Sequence, residues 1–207
     1  MNVEPIIFYP AFGSPYSYVA AQLIDDIGMR HGRSVLWRPV RLGTVLARQS
    51  DGARPAIAQE KLAYWRHDVE RICVLRGLPF ARPEGEAPPF DCDELYSACY
   101  ALADGNEAQL RTITLAVLSV IWAQGKPLKT IDAVVSGLRR FNLSSAVVRR
   151  YATSDEGRAQ HDAAITRALA VGMIGAPWTS VGTESFWGHD RLPYLDQWLG
   201  AEVVPLR

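Results

Sequence analysis

The sequence predicts an α/β fold in which β-strands at the two ends of the chain flank an all-helical middle. Three observations predict it. A strand, a helix and a second strand fill roughly the first 40 residues, helical patterns cover roughly the next hundred, and strand signals return near the C-terminus. A chain of 207 residues with 48% hydrophobic content is about one domain with a sizeable insertion, and it can bury a core.

The first strand and the first helix meet at a turn that contains Ser14. An apolar run at residues 6–9 predicts the strand, and apolar spacing over residues 17–31 predicts a helix that Gly32 ends. Ser14 comes directly before Pro15, an order that predicts a helix N-cap followed by proline at the first helical position. Because the first amides of a helix lack partners and carry partial positive charge, this turn suits a thiolate or a carboxylate. Helix capping alone is the alternative.

The middle of the chain is predicted to be helical. Residues 34–40 predict a second strand, which completes a βαβ unit with a parallel pair. After turn residues at 50–55, an apolar stripe over residues 57–73 predicts a helix that Gly77 ends, and the prolines within residues 79–89 exclude a helix there. Further helices are predicted after N-caps at Asn106 and Ser154, and from the apolar spacing between Ile131 and Phe141.

The C-terminal part returns to strands. Residues 177–181 and 185–187 predict a β-hairpin with a turn at Gly182, and a last helix follows with Asp190 as its N-cap. The order β-α-β, helices, α-β-β-α is that of a thioredoxin-like fold with an all-helical insertion. It divides the chain into a discontinuous thioredoxin-like domain, residues 1–45 and 172–207, and a helical insertion domain, residues 46–171.

Composition and charge exclude several classes of partner. Lysine plus arginine and aspartate plus glutamate both number 22, and no basic tract stands out, so we expect neither a nucleic acid nor a membrane surface as partner. No apolar stretch approaches the ~20 residues that span a bilayer, and the first residues lack a basic region before an apolar one. We therefore expect a cytoplasmic protein.

The cysteines and histidines do not indicate a metal or redox centre. Cys73, Cys92 and Cys99 are widely spaced, form no CxxC motif and lie among apolar residues, which predicts buried free thiols. The histidines lack the spacing of metal ligands, so we expect no metal site.

Three segments carry a resemblance to a known family: Phe12-Gly13-Ser14-Pro15-Tyr16-Ser17-Tyr18, Gly175-Ala176-Pro177 and Trp187-Gly188-His189-Asp190-Arg191-Leu192. With them the whole chain resembles the glutathione-dependent 2-hydroxychromene-2-carboxylate isomerases. That family shares a fold and superfamily with kappa-class glutathione transferases and DsbA-like oxidoreductases. Further matching positions are Trp37-Arg38-Pro39, Lys61, Tyr64, Asp68, Arg71 and Gly77-Leu78-Pro79.

The resemblance implies a glutathione site centred on Ser14. The sulfur of glutathione would meet the Ser14 hydroxyl, whose surroundings would lower the pKa of the thiol. The backbone of Ala176, freed by a cis bond to Pro177, would pair with the cysteine of glutathione. Ser14 is accordingly the expected catalytic residue.

The resemblance also implies partners for the two ends of glutathione and for the substrate. The γ-glutamyl end would lie at the last helix, with Asp190 taking its ammonium and His189 nearby, and Lys61 would reach the glycyl carboxylate. Arg48 and Arg54 are candidates for the substrate carboxylate. Without the resemblance, the sequence predicts only that Lys61 is a solvent-exposed lysine on a helix and that Asp190 caps a helix.

Some positions depart from the family pattern. Pro10-Ala11 stand where the family has an aspartate, a loop asparagine near Gly52 is missing, and Trp178 follows the cis-proline, where its ring could reshape the substrate pocket. The resemblance implies interconversion of 2-hydroxychromene-2-carboxylate and trans-o-hydroxybenzylidenepyruvate, in aromatic catabolism, by a homodimer. Two alternatives stay open: a kappa-like glutathione transferase and a non-catalytic glutathione-binding protein. A disulfide oxidoreductase is disfavoured because the first turn has no cysteine pair.

Overall fold

The computed structural model describes residues 3–50, 59–83, 90–141 and 144–201, with the backbone alone at residues 59–62 and 140. The strands are β1 (Ile6–Tyr9), β2 (Val35–Trp37), β3 (Trp178–Val181) and β4 (Glu184–Trp187). The α-helices are α1 (Pro15–Ala21), α2 (Ile24–Arg30), α3 (Leu42–Gln49), α4 (Gln59–Arg76), α5 (Asp93–Ala103), α6 (Glu107–Trp122), α7 (Ile131–Gly137), α8 (Ser145–Ala152), α9 (Asp155–Ala170) and α10 (Leu192–Gly200). Short 3-10 helices cover Leu138–Phe141 and His189–Arg191.

The strands form one mixed sheet in the order β2-β1-β3-β4. Strand β1 pairs in parallel with β2, with Phe8 opposite Trp37, and antiparallel with β3, with Tyr9 opposite Trp178. Strands β3 and β4 form the predicted antiparallel hairpin. The predicted βαβ unit and hairpin are thus confirmed, and β1 is a central strand that carries the chain directly to the Ser14 turn.

The core continues from the sheet into the helical block. Phe8 packs edge-on against Trp37 with ring centroids 4.9 Å apart, and Trp122 of α6 is fully buried beside Phe90. Each aromatic ring of this size buries a large apolar area and so contributes strongly to the stability of the core. The three cysteines are buried and free, as predicted: Cys73, Cys92 and Cys99.

Side-chain caps begin the helices where the sequence places a short polar residue. The predicted N-caps at Asn106 and Ser154 accept hydrogen bonds from Gln109 N–H and Gly157 N–H, which confirms both. Further side-chain caps are formed by Ser14, Thr130 and Ser144.

Two predicted element boundaries are wrong, and some helices were not predicted individually. The helix predicted over residues 17–31 is two helices, because Gln22 and Leu23 bond to carbonyls three residues back and so tighten the chain between α1 and α2. Asp190 is not the N-cap of the last helix, since it lies inside a 3-10 turn and α10 begins at Leu192. Helices α3, α5 and α8 are not among the individually predicted elements.

No helix among the described residues is both long and apolar enough to cross a membrane. The division of the chain into two domains stays a prediction.

Candidate functional site

The Ser14 turn lies between the end of β1 and the start of α1. Ser14 is the N-cap of α1 and Pro15 is the first helical residue, as the sequence predicts. The Ser14 Oγ accepts a hydrogen bond from Ser17 N–H at 3.3 Å and donates one to the carbonyl oxygen of Ala176 at 3.1 Å. The hydroxyl therefore joins the start of α1 to the loop that precedes β3.

That loop contains the predicted cis peptide bond between Ala176 and Pro177. Pro177 is buried and Ala176 is half-buried, and the carbonyl group of Ala176 faces the Ser14 hydroxyl. The carbonyl oxygen of Pro177 accepts a hydrogen bond from Gly188 N–H at 2.9 Å, which ties the 188–191 turn to the same loop. Two of the three segments singled out in the sequence thus meet at Ser14, and the third lies next to them.

Side chains from the helical block hold the backbone on the other side of Ser14. Phe12 N–H donates to Tyr96 Oη at 2.8 Å, and Gly13 N–H donates to Asp91 Oδ2 at 2.9 Å. The carbonyl oxygen of Phe12 accepts from Trp122 Nε1 at 2.8 Å. Since these backbone groups are already paired, the Ser14 hydroxyl, which bonds across to the neighbouring loop, is the candidate of this turn for contact with a ligand.

The turn also needs a residue without a side chain. A Cβ at Gly13 would lie 3.1 Å from Asp91 Oδ2, closer than such contacts ordinarily come. Glycine at this position lets the carboxyl group approach the backbone.

A second group of side chains lies where α1 faces the 188–191 turn. The hydroxyl of Tyr16 donates to Asp68 Oδ2 of α4 at 2.8 Å, and Asp68 also pairs with Arg71 at 3.1 Å. The Tyr16 ring stacks on the imidazole of His189, with centroids 5.0 Å apart and planes at 4°. This stack positions His189 beside α1 by a contact that the sequence analysis did not identify.

The pKa shifts in this group have clear causes. Burial alone would raise the pKa of Asp68, but hydrogen bonds from Tyr16 and Arg71 outweigh burial and hold the pKa below its usual range. Burial lowers the pKa of His189, against a smaller opposing effect of Asp190, so its imidazole is neutral near pH 7. The site therefore combines one stable carboxylate with a neutral histidine.

The remaining predicted site residues are not all brought together. The carboxylate of Asp190 is exposed and lies 3.5 Å from Arg191. Arg48 pairs with Asp162 of α9 at 2.7 Å, which leaves its predicted role towards a substrate without a supporting contact. Lys61 lies in the first turn of α4, where only the backbone is described, and Arg54 lies outside the described residues.

Trp178 follows the cis-proline as the first residue of β3, and its side chain is 8% exposed. Its indole Nε1 is buried and has no hydrogen-bond partner within the described part of the chain. The other indole of this sheet region, Trp187, is half exposed and lies against the backbone of Gly175, where any Cβ would collide with it. Trp178 thus fills space under the loop, while Trp187 lies at its surface.

Sequence reasoning missed Asp91, Tyr96 and Tyr16 as residues that build the site. The first two lie about eighty positions from the turn and belong to no local motif, and only the tight Phe12-Gly13 sequence hints at a close neighbour. Tyr16 and Asp68 occur among the matching positions of the family resemblance, without an assigned role.

Comparison with known proteins agrees with this architecture. A family model described as DSBA-like thioredoxin domain matches residues 5–200. A protein of Sphingobium xenophagum named 2-hydroxychromene-2-carboxylate isomerase is 26% identical over 197 residues, which are 95% of this chain and 98% of that protein.

Two solved structures have the same fold. The structure of a 2-hydroxychromene-2-carboxylate isomerase superposes with a TM-score of 0.77 at 21% identity and covers 94% of both chains. The cytosolic disulfide reductase DsbM from Pseudomonas aeruginosa with GSH superposes with a TM-score of 0.64 at 16% identity, covering 95% of this chain and 96% of that one. The predicted fold and the predicted family resemblance are both confirmed.

Proposed function

The chain belongs to the DsbA-like thioredoxin domain family, and from this premise we propose that it is a glutathione-dependent isomerase. Its substrates would be 2-hydroxychromene-2-carboxylate-like hemiketals and trans-o-hydroxybenzylidenepyruvate-like 2-oxo acids. Relatives named 2-hydroxychromene-2-carboxylate isomerase, 24–26% identical over most of the chain, support an isomerase of this family.

The observation that carries the proposal is the contact between the Ser14 hydroxyl and the carbonyl of Ala176 beside the cis peptide bond. A hydroxyl that donates across to this loop can donate instead to a sulfur bound between them. The turn itself contains no cysteine, and the three cysteines of the chain are buried elsewhere. A thiol that reacts at Ser14 must therefore come from a bound molecule.

The donor set fits glutathione. The half-buried Ala176 offers backbone groups next to the cis bond, as an extended tripeptide requires. Asp68 and Asp190 are carboxylates on the side of Tyr16 and His189, where the γ-glutamyl ammonium would be held. Lys61 on α4 is our candidate for the glycyl carboxylate. When bound, glutathione would supply a thiol nucleophile that adds reversibly to a conjugated carbon.

The residues of the chain would prepare that thiol and hold the substrate. The Ser14 hydroxyl would donate to the sulfur and favour its ionised form, because a hydrogen bond to the charged form lowers a pKa. Since α1 has only two turns, this local donor matters more than a long helix dipole. Trp178 would narrow the substrate side of the loop. Arg48 would have to leave Asp162 to bind a substrate carboxylate, and Arg54 is the other candidate for that carboxylate.

The test begins with binding and turnover of the purified chain. Calorimetry should show saturable binding of glutathione, and a catalytic amount should accelerate isomerisation of trans-o-hydroxybenzylidenepyruvate without loss of thiol. Stoichiometric loss of thiol would instead support the transferase, and binding without turnover would support a binding protein. Absence of glutathione binding would refute all three.

Ser14→Ala is the decisive variant. It should keep glutathione binding within a few-fold, lower turnover by about 10²-fold or more, and raise the pKa of the bound thiol, measured by thiolate absorbance against pH. Ser144→Ala is the matched control, because Ser144 caps α8 in the same way and is an exposed residue of the helical block without a recorded bond to the turn. Both variants should lose about 1 kcal/mol of stability, and only Ser14→Ala should lose turnover.

A further inference from the structure

A buried carboxyl group lies beneath the Ser14 turn and has no part in the proposed reaction. Asp91 precedes α5 and is 5% exposed, and Tyr96 of α5 is fully buried beside it. An ionisable group is rarely buried without hydrogen-bond partners that compensate for its lost hydration. The partners of Asp91 show what it does.

Every bond recorded for the Asp91 Oδ2 leads to the turn. This oxygen accepts from Gly13 N–H at 2.9 Å and from the hydroxyl of Tyr96 at 2.7 Å. The Tyr96 oxygen in turn accepts from Phe12 N–H at 2.8 Å. One carboxyl oxygen of Asp91 thus fixes two consecutive backbone amides before Ser14. It bonds directly to Gly13 N–H, and it holds Phe12 N–H through the hydroxyl of Tyr96.

Stacking fixes the phenol itself. The Tyr96 ring lies between Phe12, with centroids 4.5 Å apart, and His161 of α9, with centroids 4.7 Å apart. The Nε2 of His161 accepts a hydrogen bond from Arg41 N–H at 3.3 Å, so the ring proton is on Nδ1. The hydroxyl of Tyr96 therefore has little freedom to leave Asp91.

We propose that Asp91 and Tyr96 are positioning residues, which fix the Phe12-Gly13 backbone, and that the ionised form of Asp91 beneath Ser14 opposes ionisation of a bound thiol. The effect on a bound thiol rests on the proposed function, whereas the positioning of the Phe12-Gly13 backbone concerns the free protein. A carboxylate below the turn would make the thiol less acidic than the Ser14 hydroxyl alone would make it.

The groups that face Asp91 compensate its charge only in part. Arg41 Nε lies 3.8 Å from Asp91 Oδ1, but the same guanidinium also pairs with Asp93. His161 adds no charge near pH 7, because burial lowers its pKa to about 4. Burial raises the pKa of Asp91, with Tyr96, Arg41 and Gly13 opposing it and Asp93 adding to it, so Asp91 ionises above the ordinary aspartate range.

The decisive variants separate geometry from charge. Asp91→Asn keeps an acceptor oxygen for Gly13 and Tyr96 and removes the charge, while Tyr96→Phe removes the link to Phe12 and keeps the ring. Asp93→Asn is the matched control, since Asp93 also faces Arg41 but has an exposed side chain and no recorded bond to the turn.

The first readout is amide exchange and amide chemical shift by NMR, without ligand. In the wild type the Gly13 amide shift should titrate with a midpoint above the usual aspartate pKa of about 4. Asp91→Asn should abolish that titration and keep both amides protected, and Tyr96→Phe should speed exchange of Phe12 N–H at least tenfold. Asp93→Asn should leave the Gly13 titration, the protection of both amides and the exchange rate of Phe12 N–H as in the wild type. Unchanged exchange of Phe12 in Tyr96→Phe, or an unchanged titration in Asp91→Asn, would overturn the positioning role.

The second readout is the pKa of glutathione bound to each variant. Above the midpoint of the Gly13 titration, where Asp91 is ionised, Asp91→Asn should lower the pKa of the bound thiol by roughly one unit, since a charge within several ångströms at an effective dielectric constant of about 20 has that much effect. Asp93→Asn should change it much less. Equal shifts in the two variants would overturn the charge effect, whereas glutathione that fails to bind any variant would overturn the proposed function and leave the NMR result standing.

Discussion

The two sides of the candidate site are built differently. On one side is the turn, residues 11–14, whose backbone bonds to buried side chains of the helical block. On the other side is the rim, which we define as Asp68, Arg71, His189, Asp190 and Arg191, and which is held by one ring stack and partly exposed ion pairs.

This difference separates two tasks. Buried hydrogen bonds in a low-dielectric interior are costly to break, so the turn has one conformation and presents Ser14 in a fixed place. Exposed ion pairs contribute little stability and exchange partners easily. The turn is suited to preparing a reactive group, and the rim is suited to accepting the charged end of a ligand.

The largest effect should come from removing a turn partner. Trp122→Ala deletes a fully buried ring that packs on Phe90 and bonds to the Phe12 carbonyl, so it should cost about 3–5 kcal/mol in the free energy of unfolding. Denaturant unfolding measures this cost. Trp187→Ala removes a half-exposed indole at the end of β4, directly before the rim residues His189 to Arg191, and should cost much less, about 1 kcal/mol or below. Equal losses would contradict the division between the two sides.

A smaller effect on stability is expected at low pH, where the imidazole ring of His161, which stacks on Tyr96 below the turn, becomes protonated. His161 has a folded-state pKa of about 4, lowered by burial, and an unfolded value near 6.5. Its contribution is therefore complete above pH 6.5 and is lost as the pH falls through 4, up to about 3 kcal/mol.

Chemical denaturation at a series of pH values tests this contribution. His161→Gln removes the titrating group and should flatten the curve between pH 6.5 and 4, while His67→Gln, at an exposed histidine, should not. An unchanged slope in His161→Gln would mean that other groups control acid stability.

The smallest effect on stability should come from the rim. Asp68→Asn keeps an acceptor for Tyr16 but weakens the pair with Arg71, and it should change the free energy of unfolding by less than about 1 kcal/mol. If the proposed function holds, glutathione affinity should fall about tenfold, measured by calorimetry, because an ammonium loses a charged partner. Asp162→Asn, which breaks the surface pair with Arg48, is the control and should leave affinity unchanged.

The same difference between turn and rim limits what the sequence can predict. The Ser14-Pro15 cap was predictable because capping is encoded in adjacent residues, whereas the cis bond between Ala176 and Pro177 was predictable only from the family resemblance. The role of Asp91 was not, since a carboxyl group that bonds to Gly13 from 78 positions away belongs to no local pattern.

The wrong boundaries have a similar origin. Asp190 looks like an N-cap because Leu192 and Leu195 follow at helical spacing, and only the backbone shows the 3-10 turn between them. The break between α1 and α2 contains neither glycine nor proline. Tertiary contacts decided both places, where local propensities differ too little to do so.

The turn also has a consequence for the order in which the protein can be made. Its hydrogen-bond partners lie 78, 84 and 110 positions further along the chain, in or before helices α5 and α6. A nascent chain that has emerged only through β2 has the residues of the turn but none of these partners. The hydrogen-bond partners of the turn are therefore synthesised only with the helical block, and Ala176, the partner of Ser14, is synthesised after all of them.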